Sequence, residues 1–205
     1  MEDRATSQPG LLVIISGPSG VGKTTITHGV ERAVPGAVFS VSCTTRTKTD
    51  ADREGVDYFF ISEARFDAMV REDRFLEHAE VFGRKYGTPR EWVMDRLAEG
   101  KVVILEIDVE GARQVKEKVP HAFGVFVLPP SEDVLLNRLR HRKREDESQI
   151  QKRFAEAKRE IARAKELSAS HGVYDAFVTN DDLTRATREA VSLVEARRAT
   201  TATRS

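Results

Sequence analysis

The sequence predicts an α/β protein with a parallel sheet of about five strands and helices on both faces. Two observations support this class. Short apolar runs alternate with helical patterns along most of the chain, and those runs are rich in β-branched residues, as expected of strands covered on both faces. The chain has 205 residues, which suits one main core with inserted pieces.

The five predicted strands are short and well separated, and helices are predicted between or after most of them. Strands are predicted at 11–16, 37–42, 102–108, 123–128 and 174–179. Helices are predicted from the first glycine-rich turn to 34, and at 110–118, 132–169 and 182–198. This order favours a sheet whose parallel strands are joined by helical crossovers.

Two stretches do not follow that alternation. Residues 44–99 open with a polar loop, continue with short strands near 58–61 and 75–81, and end in a helix between Thr88 and Gly100, so they predict an inserted α+β unit. The stretch 138–148 joins a basic run to an acidic one and is expected to be a mobile link between two helices. The ends of the chain, 1–9 and 199–205, are expected to be disordered.

Composition excludes several classes of protein. Lys+Arg and Asp+Glu both number 33, so a general electrostatic grip on nucleic acid or on an anionic membrane is not expected, although a local basic patch stays open. The single cysteine, Cys43, excludes an internal disulfide and a cysteine-based zinc site. The polar start of the chain and its short first apolar run predict neither a signal peptide nor a membrane span, which favours the cytoplasm.

A phosphate-binding motif follows the first strand and precedes the first helix. It has the form G-x-x-x-x-G-K-[ST], and this position between strand and helix is the context that supports the motif. Its glycines let the backbone point N–H groups at a polyphosphate, and the helix N-terminus favours the same anion. Lys23 is expected to reach the β- and γ-phosphates of a nucleoside triphosphate, and Thr24 to offer a hydroxyl to Mg²⁺. The predicted phosphate cradle comprises Gly17, Pro18, Ser19, Gly20, Val21, Gly22, Lys23, Thr24 and the adjacent Thr25.

With this motif and several others in the same order, the chain resembles the guanylate kinases over about residues 10–198. The other motifs are Ser40-Val41-Ser42-Cys43-Thr44-Thr45-Arg46, Asp57-Tyr58, Phe75-Leu76-Glu77, Tyr86-Gly87-Thr88, Leu105-Glu106-Ile107-Asp108 and Asn180-Asp181-Asp182. The resemblance implies transfer of the γ-phosphate of MgATP to GMP, and to dGMP, in guanine nucleotide synthesis and recycling. It also implies a core at 10–43, 100–130 and 155–198, a GMP-binding subdomain at 44–99 and a helical lid at 131–154.

The resemblance implies a site that recognises the guanine base. Guanine presents two adjacent donors, and one carboxylate can accept from both, so Glu77 matches the base-reading acid. Ser42 matches the hydroxyl near O6, and Asp108 matches a second acid near the base. An exposed acid on an edge strand is the alternative for Glu77. Thr88 matches a further substrate contact, and a helix cap is its alternative.

Three other residues match the groups that hold the GMP phosphate. They are Arg46, whose planar fork suits a phosphate, and Tyr58 and Tyr86, whose alternative is simple packing. One departure lies in this loop, because Thr49 stands where the family has a second arginine. Lys48 or Arg53 is the hypothetical replacement for that charge.

The transfer step is expected to need no general base, since a phosphate oxygen of GMP is already ionised. Alignment and neutralisation of charge supply the catalysis. Arg138, Arg142 and Arg153 match the family's lid arginines, with a solvated basic face or a nucleic-acid patch as their alternative. Asn180 matches a residue near the adenine, or it is a helix cap.

Mg²⁺ with ATP is the only cofactor that the resemblance implies, without a prosthetic group. Thr24 is the expected direct ligand, and Glu106 or Asp108 is expected to act through water. The expected partners are ATP and GMP, without nucleic acid or membrane, in a monomer or small homo-oligomer. Two other functions stay open: a phosphokinase with a different acceptor, such as another nucleotide or a sugar phosphate, and a non-catalytic binding module of the same fold.

Overall fold

The main sheet has five parallel strands in the order β2-β7-β1-β8-β9. The computed structural model describes residues 9–81, 83–141 and 146–202. The strands of the main sheet are β1 Leu11–Ser16, β2 Ala37–Phe39, β7 Val102–Glu106, β8 Phe123–Leu128 and β9 Ala176–Thr179. The predicted fold class is therefore confirmed, with the second strand ending at Phe39 instead of 42 and the fifth beginning at Ala176 instead of 174.

Helices cover both faces of this sheet. They are α1 Lys23–Ala33, α2 Glu63–Arg71, α3 Arg90–Ala98, α4 Val109–Lys118, α5 Glu132–Arg140, α6 Glu147–His171 and α7 Leu183–Ala202. The stretch predicted as helical over 132–169 is divided between α5 and α6. Helix α7 continues to Ala202, within the stretch 199–205 for which the sequence predicted disorder.

Alternating side chains of β1 divide the core into two clusters. Val13 and Ile15 pack with apolar residues of α1 and α7 on one face of the sheet. Leu12 and Ile14 pack with residues of α4 and α6 on the other. Because β1 pairs in parallel with β7 on one side and β8 on the other, it lies at the centre of the core. The loop after β1 thus leaves the sheet at the carboxyl edge, where open α/β sheets hold their ligands.

A second, four-stranded sheet has the order β4-β3-β6-β5. Its strands are β3 Cys43–Thr44, β4 Phe59–Phe60, β5 Phe75–Val81 and β6 Arg84–Pro89. Phe66 of α2 stacks on Phe75 of β5 with ring centroids 4.6 Å apart, and both are buried in a small core with Cys43 and Met69. Sequence patterns did not predict α2 or β6, because α2 is amphipathic over only two turns and β6 begins with charged residues.

Among the described residues, none of the helices is both long and apolar enough to cross a membrane.

Candidate active site

The phosphate cradle is a loop between β1 and α1 whose glycines take conformations that other residues avoid. Gly20 has φ +85° and Gly22 has φ +93°, both in the left-handed region. A Cβ at Gly22 would lie 2.5 Å from the side-chain nitrogen of Asn180, so this position also lacks space. Lys23 Nζ donates to the carbonyl of Gly17 at 2.7 Å, which folds the lysine back over the loop. A cavity of about 260 Å³ opens beside this loop and is also lined by Thr24 and Glu106.

Two side chains that lie far from the cradle in the sequence, those of Asn180 and Arg138, donate to its backbone. Asn180 is buried, and its Nδ2 donates to the carbonyl of Val21 at 2.7 Å. Arg138 donates to the carbonyls of Asn180 at 2.9 Å and of Val21 at 3.4 Å. Asp182, whose carboxylate accepts from Arg185 N, caps α7, so the cap alternative for Asn180 is wrong. The Oδ1 of Asn180 is buried and has no hydrogen-bond partner among the described residues, and Asn180 and Arg138 both line a cavity of about 250 Å³.

A hydroxyl and a carboxylate meet at the front of the cradle. Thr24 Oγ1 donates to Glu106 Oε1 at 2.8 Å, which joins the start of α1 to the end of β7. In the described part of the chain, no group of three or more His, Cys, Asp or Glu side chains could hold a metal by itself. Mg²⁺ commonly takes one or two protein oxygens and completes its shell with phosphate and water. Thr24 and Glu106 fit that ligand set.

Glu106 and Asp108 lie in different environments. The sequence predicted one strand through residue 108, but β7 ends at Glu106, and Asp108 is instead the N-cap of α4. Its Oδ1 accepts from the backbone N–H of Gly111 at 2.7 Å. A Cβ at Gly111 would lie 3.1 Å from Glu77 Oε2 and 3.4 Å from Asp108 Oδ1, so the two acids flank the same glycine. Glu106 thus belongs with the cradle, and Asp108 lies beside Glu77.

Glu77 is a buried acid between the smaller sheet and α4. Its side chain lies on β5 with 6% exposure, so the alternative of an exposed edge-strand acid is wrong. Thr88 Oγ1 donates to Glu77 Oε1 at 2.5 Å. Burial raises the pKa of Glu77 to about 7, the Thr88 bond lowers it, and the nearby Asp108 adds to the rise. The prediction of a capping box at Thr88 is also wrong, because Pro89 is the N-cap of α3 and Thr88 turns to Glu77.

Arg46 lies in a cage of aromatic rings and a carboxylate. Its guanidinium is 5.3 Å from the ring centroids of both Tyr58 and Phe60. Its two terminal nitrogens donate to Asp52, at 3.0 and 2.7 Å. Hydrogen bonds from Arg46 hold the pKa of Asp52 far below its usual range. Tyr58 also contacts Tyr86 edge to face at 5.8 Å, and burial raises the pKa of Tyr58.

A larger cavity connects this region to the cradle. It measures about 750 Å³ and is bounded by Ser42 and Tyr58 on one side and by Thr24 and Glu106 on the other. Ser42 lies between the two sheets, and its carbonyl accepts from Phe59 N at 2.9 Å. The cavity therefore lies between the predicted seats of the two substrates.

Two of the predicted lid arginines, Arg138 and Arg153, lie on different helices and contact the same loop. Arg153 of α6 hydrogen-bonds to the hydroxyl of Ser19, and Arg138 of α5 contacts Val21. Arg142 lies outside the described residues. These contacts of Arg138 and Arg153 argue against the alternative in which both arginines belong to a basic face that contacts only solvent.

Sequence reasoning missed two acids in this region. Asp52 was treated only as part of a polar loop, although it accepts bonds from Arg46 and Thr49. Glu160 on α6 is half-buried, and burial raises its pKa to about 7 while the charge of Lys23 lowers it. Neither residue belongs to a chemical motif, and each stands among many other charges, so only tertiary contacts distinguish them.

Comparisons with known proteins agree on one family. The family model described as Guanylate kinase matches residues 10–197. Guanylate kinase of Coxiella burnetii is 44% identical over 187 residues, covering 91% of this chain and 87% of the relative. Guanylate kinase of Thermosynechococcus vestitus is 45% identical over 179 residues, covering 87% and 90%. The crystal structure of guanylate kinase from Anaplasma phagocytophilum superposes with a TM-score of 0.69 at 28% identity, covering 93% of this chain and 87% of that one.

Proposed function

The chain belongs to the guanylate kinase family, and from this membership we propose how its residues carry out the transfer of phosphate from ATP to GMP. It is an ATP:GMP phosphotransferase. In the reaction, the bond between the γ-phosphorus of ATP and the bridging oxygen breaks, and a new bond forms to a phosphate oxygen of GMP. The products are ADP and GDP.

The main sheet and the smaller sheet divide the two substrates. We assign ATP to the core at 10–43, 100–130 and 155–198, GMP to the subdomain at 44–99, and closure to the segment 131–154. The observation that carries this division is the cavity of about 750 Å³ between Tyr58 and Thr24, since an acceptor phosphate must approach the cradle there. Two reactants held in line gain roughly 7–11 kcal/mol over the same reactants free in solution.

The cradle holds the donor through backbone N–H groups and Lys23. In the substrate-free chain, Lys23 bonds to the Gly17 carbonyl, so binding of ATP exchanges this bond for phosphate oxygens. We assign Asn180, whose Oδ1 is a buried acceptor without a partner among the described residues, to the amino group of adenine. Arg138 and Arg153 contact the loop from α5 and α6, and we assign to them the neutralisation of charge on the transferred group.

Thr24 and Glu106 would hold Mg²⁺, Thr24 directly and Glu106 through water. When bound, the cation neutralises charge on the β- and γ-phosphates and keeps them in line for transfer. Asp108 caps α4 beside Glu77, and we therefore assign it to the base instead of to the cation.

Glu77 reads the guanine base, with Ser42 near O6 and Asp108 beside it. An ionised carboxylate accepts from both donors of guanine, and adenine does not present that pair. Thr88 donates to one oxygen of Glu77 and so orients the other. A site built on hydrogen bonds rejects a wrong partner by about 10⁴-fold, because its buried polar groups would be left unpaired. Deoxyribose does not change the base, so dGMP is a substrate as well.

An ADP-release assay with a series of acceptors tests this assignment. With MgATP, GMP and dGMP are expected to turn over, and AMP, UMP, dTMP and a sugar phosphate are not. Glu77→Gln is expected to raise the KM for GMP by about 10- to 100-fold, as for loss of a hydrogen bond to a charged group, and to leave the KM for ATP unchanged. Glu80→Gln, an exposed acid on the same strand, is the matched control. Equal GMP kinetics in the Glu77→Gln variant and the wild type would contradict the role of Glu77.

A further inference from the structure

The arginine that is predicted to hold the acceptor phosphate, Arg46, is already paired within the chain. Arg46 donates from both terminal nitrogens to Asp52, at 3.0 and 2.7 Å, and one of them also donates to the carbonyl of Thr47 at 3.2 Å. A bidentate pair with a carboxylate neutralises the charge and uses the N–H edge of the guanidinium that would otherwise hold a phosphate. Arg46 therefore offers an incoming dianion much less than one full positive charge.

Thr49 strengthens the hold on the same carboxylate. Its backbone N–H and its hydroxyl both donate to Asp52 Oδ2, each at 2.7 Å. The polar loop thus surrounds the carboxylate of Asp52, and Thr49 adds no positive charge to the site. A phosphate group that enters beside this loop needs a cation from elsewhere.

Arg53 lies in the wall of the cavity where that phosphate must enter. The cavity of about 750 Å³ is bounded by Arg53, Ser42 and Tyr58 on the loop side, and by Thr24 and Glu106 on the cradle side. Among the described residues that line it, Arg53 is the only lysine or arginine, whereas Glu106 and two other acids, Glu31 and Asp57, also line it. His28 and Tyr58 are the other titratable groups among the described lining residues, and His28 pairs with Glu31 at 3.1 Å.

The base of Arg53 is fixed while its guanidinium is weakly held. Its backbone N–H donates to Asp57 Oδ2 at 2.7 Å, which anchors the turn. Its Nε lies 3.7 Å from the same carboxylate, and the side chain is 74% exposed. Exposed pairs of this kind contribute about 0–1 kcal/mol, so a phosphate dianion can displace Asp57 from the guanidinium. The other loop cation, Lys48, is exposed and is not among the described residues that line the cavity.

We propose that Arg53 is a substrate-binding residue that takes the phosphate of the nucleoside monophosphate and supplies the charge that Arg46 gives to Asp52. On binding, its guanidinium leaves Asp57 and donates to phosphate oxygens inside the cavity. This inference rests on the proposed function, since it needs a nucleoside monophosphate as acceptor. It distinguishes Arg53 from Lys48 as the replacement cation.

Steady-state kinetics with three variants test the proposal. Arg53→Ala is expected to raise the KM for GMP about tenfold, the low end for a lost charge-assisted bond, with the KM for ATP and kcat nearly unchanged. Arg53→Lys is expected to have a KM for GMP between those of the wild type and of Arg53→Ala, because lysine keeps the charge and loses the planar fork. Lys48→Ala, the loop cation outside the cavity wall, is expected to match the wild type. Thermal unfolding of each variant separates loss of binding from loss of folding.

Calorimetric titration of GMP into the same proteins gives a reading that is independent of turnover. Weaker GMP binding by Arg53→Ala than by Lys48→Ala supports the proposal even if the acceptor assay shows no turnover of GMP. Failure of the proposal for Arg53 is therefore distinguishable from failure of the proposed function. Equal GMP affinity in Arg53→Ala and the wild type overturns it. A larger effect of Lys48→Ala than of Arg53→Ala overturns it too. If Arg53→Ala unfolds at a lower temperature, Arg53→Gln, which keeps the length of the stem, replaces it in the titration.

Discussion

The phosphate cradle and the acceptor region are built in different ways. The cradle is one contiguous segment after β1, and its main chemical groups are backbone N–H groups, with Lys23 as the added charge. The acceptor region draws side chains from the loop before β4, from β5 and β6, and from the start of α4. There the charged groups are paired with one another, as in Arg46 with Asp52.

This difference determines how each region responds to change. Backbone N–H groups do not titrate, and their direction is fixed by the loop, so the cradle depends on conformation and space. Side chains titrate and exchange partners, so the acceptor region depends on pH and on competing charges. Mutations in the cradle should therefore act steeply, and changes in the acceptor region should act by degrees.

The largest expected effect is at Lys23. Lys23→Ala removes a charge aimed at the transferred phosphate, and kcat is expected to fall by about 10²- to 10³-fold. Lys85→Ala in the smaller sheet, which removes a pair with Asp67 at 2.5 Å, serves as the control and is expected to leave kcat near the wild-type value. The ADP-release assay measures both. Similar turnover in Lys23→Ala and Lys85→Ala would remove the distinction between the regions.

Next in size is a pair of glycine substitutions. Gly22→Ala and Gly83→Ala both place a Cβ at a positive φ, +93° and +71°, which costs about 1–2 kcal/mol each. Only Gly22→Ala also displaces Asn180, because no atom of the described residues other than its chain neighbours lies within 4 Å of a Cβ at Gly83. Urea unfolding is expected to show a further loss of about 1 kcal/mol for Gly22→Ala, from the broken Asn180 bond, with a raised KM for ATP. An equal loss in the free energy of unfolding of the two variants would show that the cradle has space for a Cβ at Gly22.

A smaller effect is expected from pH in the acceptor region. Glu77 has a pKa of about 7 in the unliganded protein, and only its ionised form accepts both guanine donors. The KM for GMP is therefore expected to rise about tenfold between pH 8 and pH 6. Because the phosphate of GMP titrates in the same range, Glu77→Gln is the control. A variant whose KM rises as steeply as that of the wild type would assign the whole effect to the phosphate.

The same pKa has a consequence for stability. The folded state binds the proton of Glu77 more tightly than the unfolded chain, whose carboxyl has a pKa of about 4.5. The contribution of Glu77 to the free energy of unfolding is therefore full below about pH 4.5 and is lost as the pH rises to about 7. Urea unfolding of the wild type and of Glu77→Gln over this range measures the difference.

The smallest expected effect concerns Asp52. Asp52→Asn keeps the shape of the side chain and removes the charge that competes with phosphate for Arg46. The KM for GMP is expected to fall about two- to threefold, because the pair keeps some contact with solvent, with Arg46 29% and Asp52 14% exposed. Steady-state kinetics at two salt concentrations check this result. An increase in KM would mean that Asp52 positions Arg46 instead of competing for it.

Sequence patterns predicted the main sheet well because its strands are buried on both faces. Continuous β-branched runs such as Leu11–Ser16 carry that signal without reference to the rest of the chain. The smaller sheet was predicted less completely, since β6 and α2 gain their stability from a small core formed around Phe66 and Phe75. Thr88 illustrates the limit, because the local pattern predicts a cap and the contact with Glu77 lies eleven residues away.

By itself, the sequence determined the fold class, the cradle and the family, since each of these follows from short local patterns and their order along the chain. Only the tertiary structure decided which charges are paired and which are free to act. It placed Glu106 with Thr24 and Asp108 with Glu77, and it brought Arg53 into the cavity wall. The physical reason is that burial and Coulomb interactions depend on distance in space, and these pairs join segments that are far apart in the sequence.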